Sequence, residues 1–222
     1  MRVRSRGLTL AVFALAASGA RAVTAQGWDD RFRWYVGGHA GVVGFETPSQ
    51  TRAWVPTVGG SLLVVAKRTG LLLELDEGLG SNEATAFGDN TAGTGIRNVT
   101  FDRLRKYSAI LTAYPIRGSA QPYLGVGFGL LQVVNPQPSG FFTSPVLASV
   151  AKDTADSRSA DGFMSFVAGL QFRVGRMVGF GQYQITTSPA SGHLLRGPTH
   201  GLIGGLRFSL GGAKEGLKGG GY

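Results

Sequence analysis

Residues 122–133 read PYLGVGFGLLQV, and this stretch constrains the fold more than any other. It alternates with a period of two, the signature of a strand. Leu124, Val126, Phe128 and Leu130 fall on one face, and Tyr123, Gly125, Gly127, Gly129 and Leu131 on the other. A strand of a soluble sheet buries its apolar face and shows polar groups to water. Here neither face carries a charge. Bulky apolar groups facing lipid, with very small groups facing the inside of a narrow closed barrel, satisfy both faces at once.

The same alternation recurs along the chain. Strands are expected at residues 31–45, 53–66, 71–79, 101–114, 122–133, 162–173, 177–187 and 197–210. In the first, Phe32, Trp34, Val36, Ala40 and Val42 oppose Arg31, Arg33, Tyr35 and His39. In the third, Leu71, Leu73 and Leu75 oppose Glu74 and Asp76. In the fourth, Tyr107, Ala109, Leu111 and Ala113 share a face with Arg105, against Lys106, Ser108 and Ile110. In the sixth, Met164, Phe166, Leu170 and Phe172 oppose Ser165, Gln171 and Arg173, and in the last, Leu202, Leu206, Phe208 and Leu210 oppose Arg207 and Ser209. The connections alternate too: short after the second, fourth and sixth strands, longer after the first, third, fifth and seventh. The segments 80–100 and 135–160 read as long polar loops. The expected fold is all-β: an eight-stranded antiparallel up-and-down transmembrane barrel, with short turns on one rim and long loops on the other.

The start of the chain reads as an export signal. Three arginines within MRVRSR precede an apolar run at residues 7–19, and small-x-small patterns end at Ala22 and Ala25. Cleavage after Ala25 is expected, with Ala22 as the alternative. The domains are then a signal peptide at 1–25, a barrel at 26–210 and a short Gly-rich tail at 211–222. Removing Arg2, Arg4, Arg6 and Arg21 lowers the formal charge from +9 to +5, since no acid lies in that segment. Nucleic acid is therefore not an expected partner, because no basic cluster remains. After the leader no apolar run is long enough for a membrane helix, but a closed barrel crosses membranes with strands.

The 114–129 stretch carries a resemblance. Tyr114 and Pro115, a turn, then Pro122, Tyr123, Gly125, Gly127 and Gly129 are similar to a motif of the small Gram-negative outer-membrane β-barrel proteins, the OmpA/OmpX/OmpW-like superfamily. Gly205, Phe208 and Leu210 resemble that family's C-terminal assembly signal, with Ile203 where a polar residue is usual. The resemblance implies an outer-membrane location, outer-membrane lipid and the barrel-assembly machinery as partners, and a monomer.

Chemistry is sparse. His39, His193 and His200 lack metal-ligand spacing, there is no Cys, and no metal or cofactor is expected. His200 is followed by Gly201-Leu202-Ile203, not by the Ser-Asn of the lipid A deacylases that share this architecture. The inward set comprises Arg31, Arg33, Glu74, Asp76, Lys106, Arg173 and Arg207, with Gln132, Gln171, Gln182 and Gln184. The carboxylates are expected to pair with the cations in a filled polar lumen, with Arg33, Glu74, Asp76, Lys106, Arg173, Gln182 and Arg207 as its network and the strand glycines leaving room for these side chains. The expected role is structural or surface-interacting, without catalysis. The alternatives are a narrow channel for small or hydrophobic solutes, a lipid-modifying enzyme, and a soluble lipocalin-like barrel.

Overall fold

The computed structural model describes residues 31–116, 118–189 and 191–214. The signal-peptide reading of residues 1–25 lies outside them. The strands are β1 (Arg31–Glu46), β2 (Ala53–Ala66), β3 (Thr69–Gly88), β4 (Ile96–Ala113), β5 (Ala120–Val134), the two-residue β6 (Gln137–Pro138), β7 (Ala160–Val174), β8 (Met177–Thr186) and β9 (Arg196–Lys214). One helix, α1 (Pro145–Ser157), follows β6. Every long strand pairs antiparallel with its neighbour, and β1 pairs with β9. The sheet thus closes into an eight-stranded barrel, and no long edge is left unpaired.

The expected facing holds around the barrel. Val126 is 52% exposed and Phe128 70%, while Tyr123 across the pleat is 1%. Leu71, Leu73, Leu75, Leu111, Met164, Phe166, Leu202 and Leu206 join them outside. Strands of nine to eleven residues, tilted by ~35–45°, carry an apolar band about 25 Å tall. Trp34 lies at its short-turn end and Trp54 at its loop end, opposite Val64 and Gly44 respectively. The first outward charges above the band, Glu77 and Arg105, meet side by side, with Arg105 Nε donating to Glu77 Oε2 at 2.7 Å. An apolar girdle of this extent on a soluble surface would drive association. The lipocalin-like alternative needs a polar exterior, and the barrel's exterior is this apolar girdle.

The two long loops are more structured than expected. β3 and β4 continue past the barrel as a hairpin to Gly88 and Ile96, with a bulge between Leu79 and Glu83. The bulge hides the continuation in the sequence, because it breaks the period-two count. Beyond it, Thr85, Phe87, Val99 and Phe101 are buried, which drives the pairing. In the 135–160 segment, Ser144 caps α1 by accepting from the Leu147 N–H, and Pro145 occupies the first turn. Both are ordinary helix-start chemistry. α1 buries Ala151 and Ala155, a narrow stripe of small residues that carries little hydrophobic signal. β9 runs on to Lys214, so residues 211–214 of the expected tail are strand.

Candidate functional site: a layered lumen

The lumen is the candidate site, and it is built in three layers. Nearest the short turns, Tyr35, Leu63, Leu72, Ile110, Tyr114, Tyr123, Val167 and Val178 form an apolar floor. Nearest the loops, Val43, Phe45, Val55, Phe87, Val99, Phe101, Leu104, Leu131, Phe163 and Leu194 form a larger cap, closed from above by Ala151 and Ala155 of α1. A polar waist lies between them. A lumen polar throughout was the expectation, and the two apolar layers are the difference.

The waist brings together five of the seven predicted network residues. Asp76 Oδ2 is 3.1 Å from Lys106 Nζ, and Asp76 Oδ1 is 2.5 Å from His39 Nε2. Lys106 donates in turn to Gln184 Oε1 at 2.5 Å. Across the lumen, Glu74 accepts from Gln182 Nε2 at 2.9 and 3.1 Å and lies 3.6 Å from Arg207. Arg207 is fully buried. Its Nε donates to Ser61 Oγ at 3.1 Å, and its guanidinium stacks 3.5 Å above the Phe180 ring. Two carboxylates face one lysine and one arginine, so the acidic and basic groups are matched in number, which is the condition for burying them at all.

Arg33 and Arg173 stand apart from this network. Both are half-buried at the short-turn mouth, below the floor, where the Arg173 guanidinium sits 5.7 Å from the Tyr35 ring. Gln132 lies on the outward parity of β5 beside Leu130, not inward, and the side chain of Arg31 is outside the described residues. Tyr123 Oη donates to Gln182 Oε1 at 2.6 Å and so ties the 122–129 motif to the waist. That bond was hidden in the sequence because its partners are 59 positions apart.

The glycines of the motif serve a different purpose from the one expected. A Cβ on Gly127 would collide with the Ala109 carbonyl and the Ile110 Cα of β4. One on Gly129 would collide with the Tyr107 carbonyl and stand 2.6 Å from the Phe163 ring. They admit the backbone of β4 and apolar rings. Room for the waist comes from glycines elsewhere. A Cβ on Gly37 would stand 2.8 Å from Arg207 Cγ, one on Gly59 2.8 Å from Asp76 Oδ1, one on Gly205 2.6 Å from His39 Cβ, and one on Gly169 2.6 Å from Tyr123 Oη. Of the expected assembly signal, Gly205 therefore faces His39, while Phe208 and Leu210 face outward.

A His–Asp contact can serve acid–base chemistry when a nucleophile or substrate can reach it. His39 Nε2 is committed to Asp76, and the side chains of the pair are 0% and 5% exposed beneath the apolar cap. Among the described residues no group of three or more His, Cys, Asp or Glu is placed to hold a metal ion. What this arrangement can do is hold the barrel together: it cross-links β1, β2, β3, β4, β8 and β9 through the lumen.

No family model matches the chain, and no curated protein matches it in sequence. Solved structures do. The crystal structure of Neisserial surface protein A superposes with a TM-score of 0.53 at 11% identity, covering 79% of this chain and 96% of that one. The N-terminal β-barrel domain of Pseudomonas aeruginosa OprF matches with a TM-score of 0.40 at 13% identity, over 79% and 96% of the two chains. The outer membrane protein OprG from the same organism matches with a TM-score of 0.38 at 11% identity, over 84% and 96%. With the closed sheet, the outward apolar band and the alternation of short turns and long loops, the chain has the eight-stranded fold of the small outer-membrane barrels, as in Neisserial surface protein A.

Proposed function

We propose that the protein is a structural barrel of the bacterial outer membrane. It holds a β3–β4 hairpin and a short helix above the membrane, for contact at the cell surface, and it conducts no solute. The observation that carries this reading is the layered lumen. A water path through the barrel would have to cross the Tyr35–Leu63–Leu72–Tyr123 floor, the paired waist and the Phe45–Val99–Phe101–Phe163 cap. An eight-stranded barrel is just wide enough for side chains to fill, and here three successive layers fill it. The N-terminal leader and the C-terminal Gly205, Phe208 and Leu210 fit export and insertion by the barrel-assembly machinery. The burial of the His39–Asp76 pair supports a non-enzymatic role.

The test is fractionation of cells followed by planar-bilayer recording. The protein is expected in the outer-membrane fraction, heat-modifiable on gels, and electrically silent. Steady single-channel conductance from the folded protein would replace this reading with that of a narrow channel. Recovery in the soluble periplasmic fraction would remove the membrane reading altogether.

A further inference from the structure

The two rims of the barrel differ in charge, and the waist does not explain why. At the loop end several cations have acidic partners. Arg97 Nε donates to Asp89 at 2.8 Å, Arg105 to Glu77 at 2.7 Å and Lys152 to Asp156 at 2.6 Å. The short-turn rim carries Arg33, Arg68, Arg173 and Arg176, and among its described residues there is no Asp or Glu. Arg68 sits in the β2–β3 turn and Arg176 in the β7–β8 turn, and both are exposed. These turns lie on opposite sides of the ring, their hairpins separated by two strands on either side, β4 and β5 on one and β9 and β1 on the other. Each stands at the lower edge of the apolar band, next to outward Leu71 on one side and Val174 and Met177 on the other.

We propose that the short-turn rim is a binding surface for anionic phospholipid headgroups. Acyl chains would lie along the Trp34, Leu71, Phe172 and Met177 side of the band, and the lipid phosphates would be drawn to Arg68 and Arg176. Continuity with the band selects this occupant over a soluble polyanion. A headgroup at this level is held by both its charge and its tails, as basic residues at the edge of a membrane-embedded surface hold anionic lipid. The inference rests on the membrane reading above.

Trp34 and Trp54 make the test possible, because they report from opposite ends of the band. A Trp28→Phe/Trp54→Phe chain keeps Trp34, and a Trp28→Phe/Trp34→Phe chain keeps Trp54. Each is folded into phosphatidylcholine bilayers containing brominated phosphatidylglycerol or brominated phosphatidylcholine, and tryptophan quenching is measured. Trp34 is expected to be quenched preferentially by the brominated phosphatidylglycerol and Trp54 equally by both. Arg68→Gln/Arg176→Gln should reduce the preference at Trp34 by roughly five-fold for each cation removed, as should high salt. Equal quenching of Trp34 by the two lipids would overturn the proposal. A preference that survives the double substitution would overturn it as well. No quenching of either tryptophan by any brominated lipid would overturn the membrane reading and this inference with it.

Discussion

The waist and the cap occupy the same lumen and are built in opposite ways. The waist gathers Glu74, Asp76, Lys106, Gln182 and Arg207 from strands that keep a strict period of two. The cap takes Val43, Phe45, Val55, Leu131 and Phe163 from the loop ends of alternating strands, and is completed where that period fails: past the bulge in β3, along the hairpin to Gly88 and Ile96, and on α1. The waist places charged groups in the interior, and each of them needs a partner. The cap buries apolar surface and needs only volume. A single lost partner in the waist leaves a buried charge stranded, whereas a lost contact in the cap leaves a small void or a frayed loop. The difference predicts a sharp contrast in how the two layers respond to substitution.

Arg207→Met should give the largest effect. It strands Glu74 in the interior, and breaking a buried pair from one side costs about 3–5 kcal/mol. Urea titration of the folded protein in lipid vesicles should show this loss, and the double variant Glu74→Gln/Arg207→Met should recover most of it. If the single and double variants unfold together, the pair does not act as a unit and the waist is no different in kind from the cap.

The outer surface comes next. Leu206→Arg or Val126→Arg places a charge at mid-depth on the lipid side and should cost ~2–4 kcal/mol. The heat-modifiable gel shift should be impaired in both. Normal folding of both in bilayers would remove the assigned facing of β5 and β9.

Ser144→Ala probes the cap at its softest point. It removes the hydroxyl that accepts from the Leu147 N–H and should cost about 1 kcal/mol of helix stability. Faster hydrogen exchange is expected across residues 145–157, with β5 and β7 amides unchanged. Exchange that rises through the strands as well would show that cap and waist unfold as one unit.

The smallest expected effect is a pH dependence at the hairpin tip. The Asp89 carboxylate accepts from the Thr91 hydroxyl and from Arg97, with the Thr91 N–H adding a third bond, and these hold its pKa down from an ordinary 3.8 to about 2. Because the folded value is the lower one, the contribution of this clip is fully present above the ordinary value. It is lost as pH falls through about 2. Pepsin cleavage near residues 89–95 should therefore be slow near pH 3.8 and accelerate progressively as pH falls towards 2. An Asp89→Asn chain should be cleaved quickly at both.

The barrel itself was legible in the amino-acid order. Alternation marked the eight long strands, and the inward parity of Glu74, Asp76, Lys106, Gln182 and Arg207 followed from it without any knowledge of their partners. The hairpin above the band was missed because the bulge at Leu79–Glu83 shifts parity, and a polar surface there looks like a loop. The helix was missed although Ser144-Pro145 announces its start, because two alanines bury too little to make an amphipathic stripe. The separation of Arg33 and Arg173 from the waist was equally out of reach. Parity tells which side of the sheet a residue faces, but its height in the lumen depends on strand tilt and register.

Local order along the chain therefore determined the strands, the lipid-facing side and the residue types inside. Steric alternation and the cost of a charge in hydrocarbon act within a few residues, so one strand can display them. Tertiary structure decided which inward groups meet: Tyr123 with Gln182, His39 with Asp76, and Arg207 with Glu74 and Phe180. It also decided which glycines make room for them. Those contacts exist only once β1 has closed against β9, because they cross a lumen that no segment of the chain forms alone.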